Sequence, residues 1–235
     1  MSRPELVAMM PVHNEASRYL GQVLESLEAY VDRIVVLDDA STDETPSLCR
    51  SYARVVYHRQ PERTFPVDES RLRSRLWELT VALEPRWILA IDADEMFEDR
   101  AQHELRFLLD RAEFSAVDFR VFDFWDEDHV RVDGGWNPWT KEFRMLVAYN
   151  PRFDSCWKPG LLHCGRFPRS YYGPVPAYFS DLRLKHLGWM RPEDRLFKHA
   201  FYQERLPDDP HAASILAPPE AVRLERWIPA KPLPF

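Results

Sequence analysis

Residues 87–95 read WILAIDADE: Trp87, Ile88, Leu89, Ala90 and Ile91 form an apolar run of strand length, and Asp92, Asp94 and Glu95 come directly after it. A short apolar run bounded by polar residues suits a strand buried on both faces of a parallel sheet. Two residues apart on extended chain, Asp92 and Asp94 point to the same side, so their charges repel unless something positive lies between or beside them. Carboxylate oxygens suit a divalent cation such as Mg²⁺ or Mn²⁺. Taken alone, the acids are explained equally well by a solvated turn, because Asp and Glu are common in loops and at helix starts.

Outward from this stretch, short apolar runs alternate with helical patterns, the mark of βαβ construction and a mostly parallel sheet. Leu6 to Met10 predicts a first strand ended by Pro11. A helix then runs from about Glu15, with Leu20, Val23, Leu24 and Leu27 at the spacing of one buried face. Arg33 to Leu37 is a second strand. After it, Ser41 and Glu44 stand at capping-box spacing and Pro46 suits a first helical turn. Arg54 to His58 gives a third strand, residues 68–83 a helix, and Trp87 to Ile91 the fourth strand. A helix at about 101–111 and strands at 116–125 and 143–148 complete the regular pattern. Beyond them no periodicity is evident until a helix at about 192–206.

The 235 residues are enough for one main domain, divided into a half over 1–112 and a second, loop-rich half over 113–235. Twenty prolines against seven glycines imply many rigid connections. A formal charge of -7 disfavours nucleic acid as a partner, although Arg71, Arg73 and Arg75 could meet a small anion. Three cysteines without CxxC spacing support neither a disulfide framework nor a zinc site. Without an export signal or an apolar run of membrane-spanning length, a cytoplasmic chain is expected, with peripheral membrane contact left open. Oligomeric state is not legible.

Three linked segments, VAMMPVHNEASRYLGQVLESL, RIVVLDDASTDETPSL and RWILAIDADEMFED, together resemble the nucleotide-binding half of family-two glycosyltransferases of bacterial type. The resemblance implies the GT-A fold: an α/β, Rossmann-like, mostly parallel sheet with helices on both faces and an acceptor-side C-terminal half. It places Pro11, Val12, His13, Asn14 and Glu15 against the nucleotide base and ribose, and Asp39 as acceptor for a ring N–H of the base. Arg73 falls at the position of a basic residue that contacts the nucleotide or its diphosphate, though Ser74 stands where many relatives carry Asn. Asp92, Ala93 and Asp94 match the DxD motif, with Asp94 as the direct metal ligand and Asp92 as a contact to the ribose or to the groups behind the metal. His186, in KHLGWMRPEDR, resembles the late histidine that returns to the metal in this fold; the alternative is a hydrogen-bonded structural histidine.

The resemblance further implies metal-dependent transfer, with inversion as the family expectation, in cell-surface polysaccharide synthesis. The donor would be a nucleotide-diphosphate sugar, UDP-sugar favoured, and the acceptor a glycan, lipid-linked or other hydroxyl. Inversion needs a carboxylate base for the acceptor's proton. Of the acids in VFDFWDEDHVRVDGGW, Asp126 is the candidate, at the mouth of a strand. His163 could lie near the diphosphate or belong to a turn. Among Trp125, Trp136, Trp139, Trp157 and Trp189, most read as core and one or two as a platform for sugar. Two rival functions compete with transfer: a nucleotidyltransferase, against which the absence of a glycine-rich phosphate loop counts, and a non-catalytic nucleotide-sugar or glycan-binding module.

Overall fold

In the first strand of the computed structural model, alternate residues serve different cores: Leu6, Ala8, Met10 and Val12 face one side of the sheet, and Val7 and Met9 the other. The described residues are 4–111, 113–160 and 162–230; the expected boundary at Ala112 and the last five residues of the tail lie outside them. In chain order the elements are β1 (Leu6–Val12), α1 (Leu20–Glu28), β2 (Arg33–Asp38), α2 (Thr45–Arg50), β3 (Val55–Arg59), α3 (Glu69–Val81), β4 (Trp87–Ala90) and β5 (Glu95–Phe97). They continue with α4 (Ala101–Leu109), β6 (Ala116–Asp123), β7 (His129–Arg131), β8 (Phe143–Ala148), β9 (Ala177–His186), α5 (Pro192–Arg205), α6 (Pro210–Ser214) and β10 (Leu224–Arg226).

Eight strands form one sheet in the order β3-β2-β1-β4-β8-β6-β9-β5. Only β8 and β5 run against the rest, so the sheet is mostly parallel, as expected. Leu20, Val23, Leu24 and Leu27 of α1 and Leu105, Leu108 and Leu109 of α4 cover one face. Leu72, Leu76 and Trp77 of α3 cover the other. Helices on both faces bury both sides of the central strands, which is why WILAI carries no polar residue.

The local differences have physical causes. Pro11 does not end β1: the pairing with β4 stops at Met9, so Pro11 meets only β2 and its missing N–H leaves no rung broken on the β4 side. α1 begins at Leu20 instead of Glu15. The intervening amides of Asn14, Glu15 and Ala16 donate to side chains of the next loop, to Ser41, Thr45 and Asp43, which competes with helix formation. Ser41 is spent on that bond and forms no capping box; α2 starts at Thr45, whose N–H donates to Asp43.

β9 went unread because it lies in the Pro- and Arg-rich half, yet Ser180, Leu182 and Leu184 alternate with Asp181, Arg183 and Lys185 at strand period. It pairs with β6 and β5 and sets His186 opposite both Asp123 and Glu95. This register is what brings the second half of the chain to the acids after β4. No helix among the described residues is long and apolar enough to cross a membrane.

Leu89 in the middle of β4 is fully buried. Leu89→Ala is expected to lower the unfolding free energy by about 2–5 kcal/mol, measured by urea denaturation; a loss under about 1 kcal/mol would mean that this strand is not packed as described.

Candidate active site

The parallel strands β1, β2 and β4 deliver three loops to one edge of the sheet, the place where open α/β sheets collect ligands. The first two are stitched together: the Asp39 N–H donates to the Val12 carbonyl at 2.9 Å, and the Asn14 side-chain oxygen accepts from the Thr42 N–H at 2.8 Å. Asn14 and Ala40 have φ of 54° and 61°, a left-handed backbone that these bonds hold in place. His13 Nδ1 lies 2.8 Å from the Asp39 carbonyl. A carbonyl only accepts, so Nδ1 carries a hydrogen. Both oxygens of Asp39 receive N–H donors from residues 60–65: Oδ1 from Gln60 and Thr64, and Oδ2 from Phe65 at 2.8 Å. One acceptor position remains on Oδ2.

The third loop holds the closely spaced acids of DADE. Asp92 is gripped from two sides, Oδ1 by Arg73 at 3.0 Å and Oδ2 by Arg166 at 3.1 Å. Burial raises its carboxyl pKa, but Arg166 and then Arg73 outweigh burial and hold it below the usual range. Arg166 also binds Glu95 at 2.6 Å, and Glu69 in α3 braces Arg73 at 3.3 Å. Asp94 has a separate set: Oδ2 lies 3.0 Å from Lys198 Nζ and 3.5 Å from His186 Nε2. Here too burial acts upward, and Lys198 and His186 drive the pKa well below the usual range.

His186 is fixed at its other nitrogen by Asp123 Oδ1, 2.7 Å from Nδ1. A carboxylate only accepts, so the ring donates to Asp123 through Nδ1, with the Trp189 indole nitrogen 3.0 Å from the same atom, and Nε2 faces the second carboxylate, Asp94. Burial lowers the imidazole pKa, but Asp94 and the Asp123 bond lift it to about 9. If a divalent ion enters, the same Asp123 bond selects the tautomer in which Nε2 is free to ligate. Asp94 and His186 are therefore a fitting donor pair for Mg²⁺ or Mn²⁺, which commonly take few protein ligands and complete their shell with substrate phosphate and water. Among the described residues no cluster of three His, Cys, Asp or Glu forms a fuller cage.

These groups line one cavity of about 850 Å³ that also holds Pro11, Val12, His13, Asn14, Glu15, Asp39, Arg73, Ala93 and His163. Its opposite wall is aromatic: Phe65 stacks on Phe201 at 6.0 Å, Phe201 on Phe197 at 6.5 Å, and Tyr202 lies parallel to His163 at 6.1 Å. Of the tryptophans, Trp189 lines the cavity, while Trp136 is buried and Trp139 packs edge-on against Phe122 outside it. Asp126 is not brought in. It sits on an exposed turn after β6, where Oδ1 accepts from the N–H groups of Asp128 and His129 at 2.9 and 2.8 Å. A short acid at a turn is satisfied by the turn itself.

Sequence reading missed Arg166, Lys198, Phe65, Tyr202 and Glu142, all of which line the cavity. Lys198 had a signal: in PEDRLFKHAFY it shares a helix face with Asp194, Phe201 and Tyr202 at spacings of three and four. Arg166 and Glu142 had none, since both sit in irregular chain.

The chain belongs to glycosyl transferase family 2, whose description matches residues 7–165. The crystal structure of Staphylococcus aureus TarS 1–349 superposes with a TM-score of 0.58 at 15% identity, covering 91% of this chain and 69% of that one. TarS 1–349 in complex with UDP-GlcNAc gives 0.58 at 13% identity, covering 91% and 70%. At such identity the likeness is one of fold, and the fold is GT-A. Two uncharacterized mycobacterial proteins, Rv3786c of Mycobacterium tuberculosis and Mb3815c of Mycobacterium bovis, are 27% identical over 224 residues, 86% of this chain. The chain spans about half the length of these curated relatives, 51%.

Glu15, at the cavity, pairs with Arg18 through one oxygen and leaves Oε2 buried without a partner. Burial raises its pKa to about 7. The folded state thus holds this proton more tightly than the unfolded chain, and stability falls as pH rises from the ordinary carboxylate range through about 7. Glu15→Gln should remove that loss, gaining roughly 2–3 kcal/mol above pH 7 and little at pH 4.5, read by denaturant titration at both pH values; an equal gain at both would exclude the titration.

Proposed function

We propose that this cavity binds a nucleoside-diphosphate sugar together with Mg²⁺ or Mn²⁺ and transfers the sugar, with inversion, to a hydroxyl acceptor. The supporting observation is the convergence of Arg73, Arg166, Lys198 and His186 on Asp92 and Asp94 at the carboxyl edge of parallel strands. Paired cations and acids in a shielded cleft suit an anionic group that gains charge as it leaves. When bound by Asp94 and His186, the metal would supply Lewis-acid neutralisation of the diphosphate. Arg73 and Arg166 hold Asp92 ionised and directed, ready to accept from a ribose hydroxyl.

The remaining acceptor position on Asp39 suits a ring N–H of the base. Uracil offers one, and the neighbouring S. aureus fold was solved with UDP-GlcNAc and with UDP, which favours a uridine donor. The aromatic wall of Phe65, Phe197, Phe201 and Tyr202 suits the apolar faces of a sugar acceptor. A glycan or lipid-linked sugar of the cell surface fits that chemistry, and a site facing the cytoplasm or the membrane surface fits the donor.

For the base we place Glu142 instead of Asp126. Asp39, Glu69, Asp92, Asp94 and Glu95 line the cavity and are engaged by cations or N–H donors, and Glu15 is buried and paired with Arg18 through one oxygen. Glu142 lines the same cavity, exposed, just before β8, and its carboxylate has no hydrogen-bond or ion-pair partner among the described residues. A free carboxylate on the acceptor side can take the proton of an attacking hydroxyl.

Calorimetric titration with UDP in the presence of Mn²⁺ should show binding that Asp94→Ala abolishes; no binding of any nucleoside diphosphate would overturn the donor-site reading. Glu142→Gln should lower sugar transfer by about 10²–10⁴-fold while leaving UDP affinity unchanged, and transfer at the wild-type rate would remove Glu142 from the mechanism.

A further inference from the structure

The carboxylate offered to a metal is already held by a cation of the chain itself. Three independent features build a seat for the Lys198 ammonium. Asp94 Oδ2 lies 3.0 Å from Nζ, and the indole face of Trp189 lies beneath it at 4.3 Å. The third is a missing side chain: a Cβ added at Gly188 would stand 2.0 Å from Asp94 Oδ2 and 2.3 Å from Lys198 Nζ. Only the bare backbone of Gly188 lets the pair close.

The lysine arrives on α5, a helix with no fully buried residue, which docks through Phe201 and Tyr202 on Phe65 and the Trp136–Trp189 cluster and through polar contacts. Asp194 binds Arg18 at 3.1 Å, and Arg195 donates to the carbonyls of Trp125 at 2.9 Å and Met190 at 3.1 Å. An ammonium has three N–H donors, and Asp94 is its sole hydrogen-bond acceptor among the described residues. Two donors are therefore uncommitted on a side chain that lines the cavity. Lys198 and a divalent ion cannot both sit fully on Oδ2 of Asp94, since each needs the same lone pairs and they repel one another.

We propose that Lys198 is an exchangeable counter-ion: it neutralises Asp94 in the empty protein and passes to the donor's diphosphate when a divalent cation takes Asp94. The proposal rests on the donor-site reading above. An ammonium on a flexible four-carbon stem can make this move, which a rigid planar guanidinium would make less readily. Binding of metal and of diphosphate is then coupled, because each ligand removes the other's competitor, and the coupling is reciprocal. The empty protein should bind metal weakly, and the pair of ligands should bind together.

Lys198→Met removes the charge and keeps most of the stem's length. Titration of Mn²⁺ alone, followed by the paramagnetic signal of the free ion, should show at least about fivefold tighter binding to this variant than to wild type. The gain in UDP affinity that saturating Mn²⁺ confers should shrink by a similar factor. Wild type that binds both ligands beside a variant with unchanged or weaker Mn²⁺ affinity overturns the exchange alone; wild type that binds neither overturns the donor site as well. A second measurement needs no variant. Acylation of Lys198 in the wild-type chain, read by peptide mass spectrometry, should speed up with Mn²⁺ alone and slow when UDP is added; reactivity indifferent to both ligands overturns the proposal.

Discussion

The structure turns on one electrostatic constraint: three carboxylates at the end of a strand buried on both faces must find positive charge before the strand can be buried beneath them. No cation of the DADE loop itself meets Asp92 or Asp94. Arg73 comes from α3, Arg166 from the irregular segment before β9, His186 from the end of β9 and Lys198 from α5. The acids thus tie late parts of the chain to the early sheet, and the cleft between them is a by-product of that neutralisation. On its donor side a site assembled in this way brings charges of both signs together, which suits a ligand that brings both a cation and a diphosphate.

The division of labour between the two acids comes from their partners. Asp92 faces guanidinium groups, always charged and planar, which fix its orientation. Asp94 faces an imidazole and an ammonium, the two cations that can leave or give up a proton. The residue held rigidly suits recognition, and the residue held by mobile charge suits exchange with an incoming ion.

Much of the first half was legible because its signals are local. Burial on both faces makes WILAI, RIVVL and the start of β1 read as apolar runs, and α1 shows its stripe in four leucine and valine positions. Loops at the ends of these strands then had to hold Asp39 and Asp94. What sequence could not supply was the partner of each acid, because pairings such as Arg166 with Asp92 or Lys198 with Asp94 span tens of residues and depend on register. The register of β9 decides where His186 lies, and that strand was hidden because the charged residues Asp181, Arg183 and Lys185 interrupt its apolar run in a proline-rich half. Asp126 was misplaced for a related reason: strand β6 stops at Asp123, so the acids beyond it curl into their own turn instead of pointing along the strand.

α5 carries Lys198 and three of the four aromatic residues on the wall opposite the donor loops, yet buries none of its own residues fully. Its outer face is therefore open to change, while Phe201 and Tyr202 hold its inner face on Phe65 and the Trp136–Trp189 cluster. Side chains along its exposed face, Leu196 and Phe197 among them, can be exchanged without leaving a void in any of the three hydrophobic clusters. The architecture thus separates two evolutionary freedoms: a donor cleft whose side chains are tied to the sheet and to one another by ion pairs, and an outer wall on one helix, where a new acceptor can be met by altering exposed side chains.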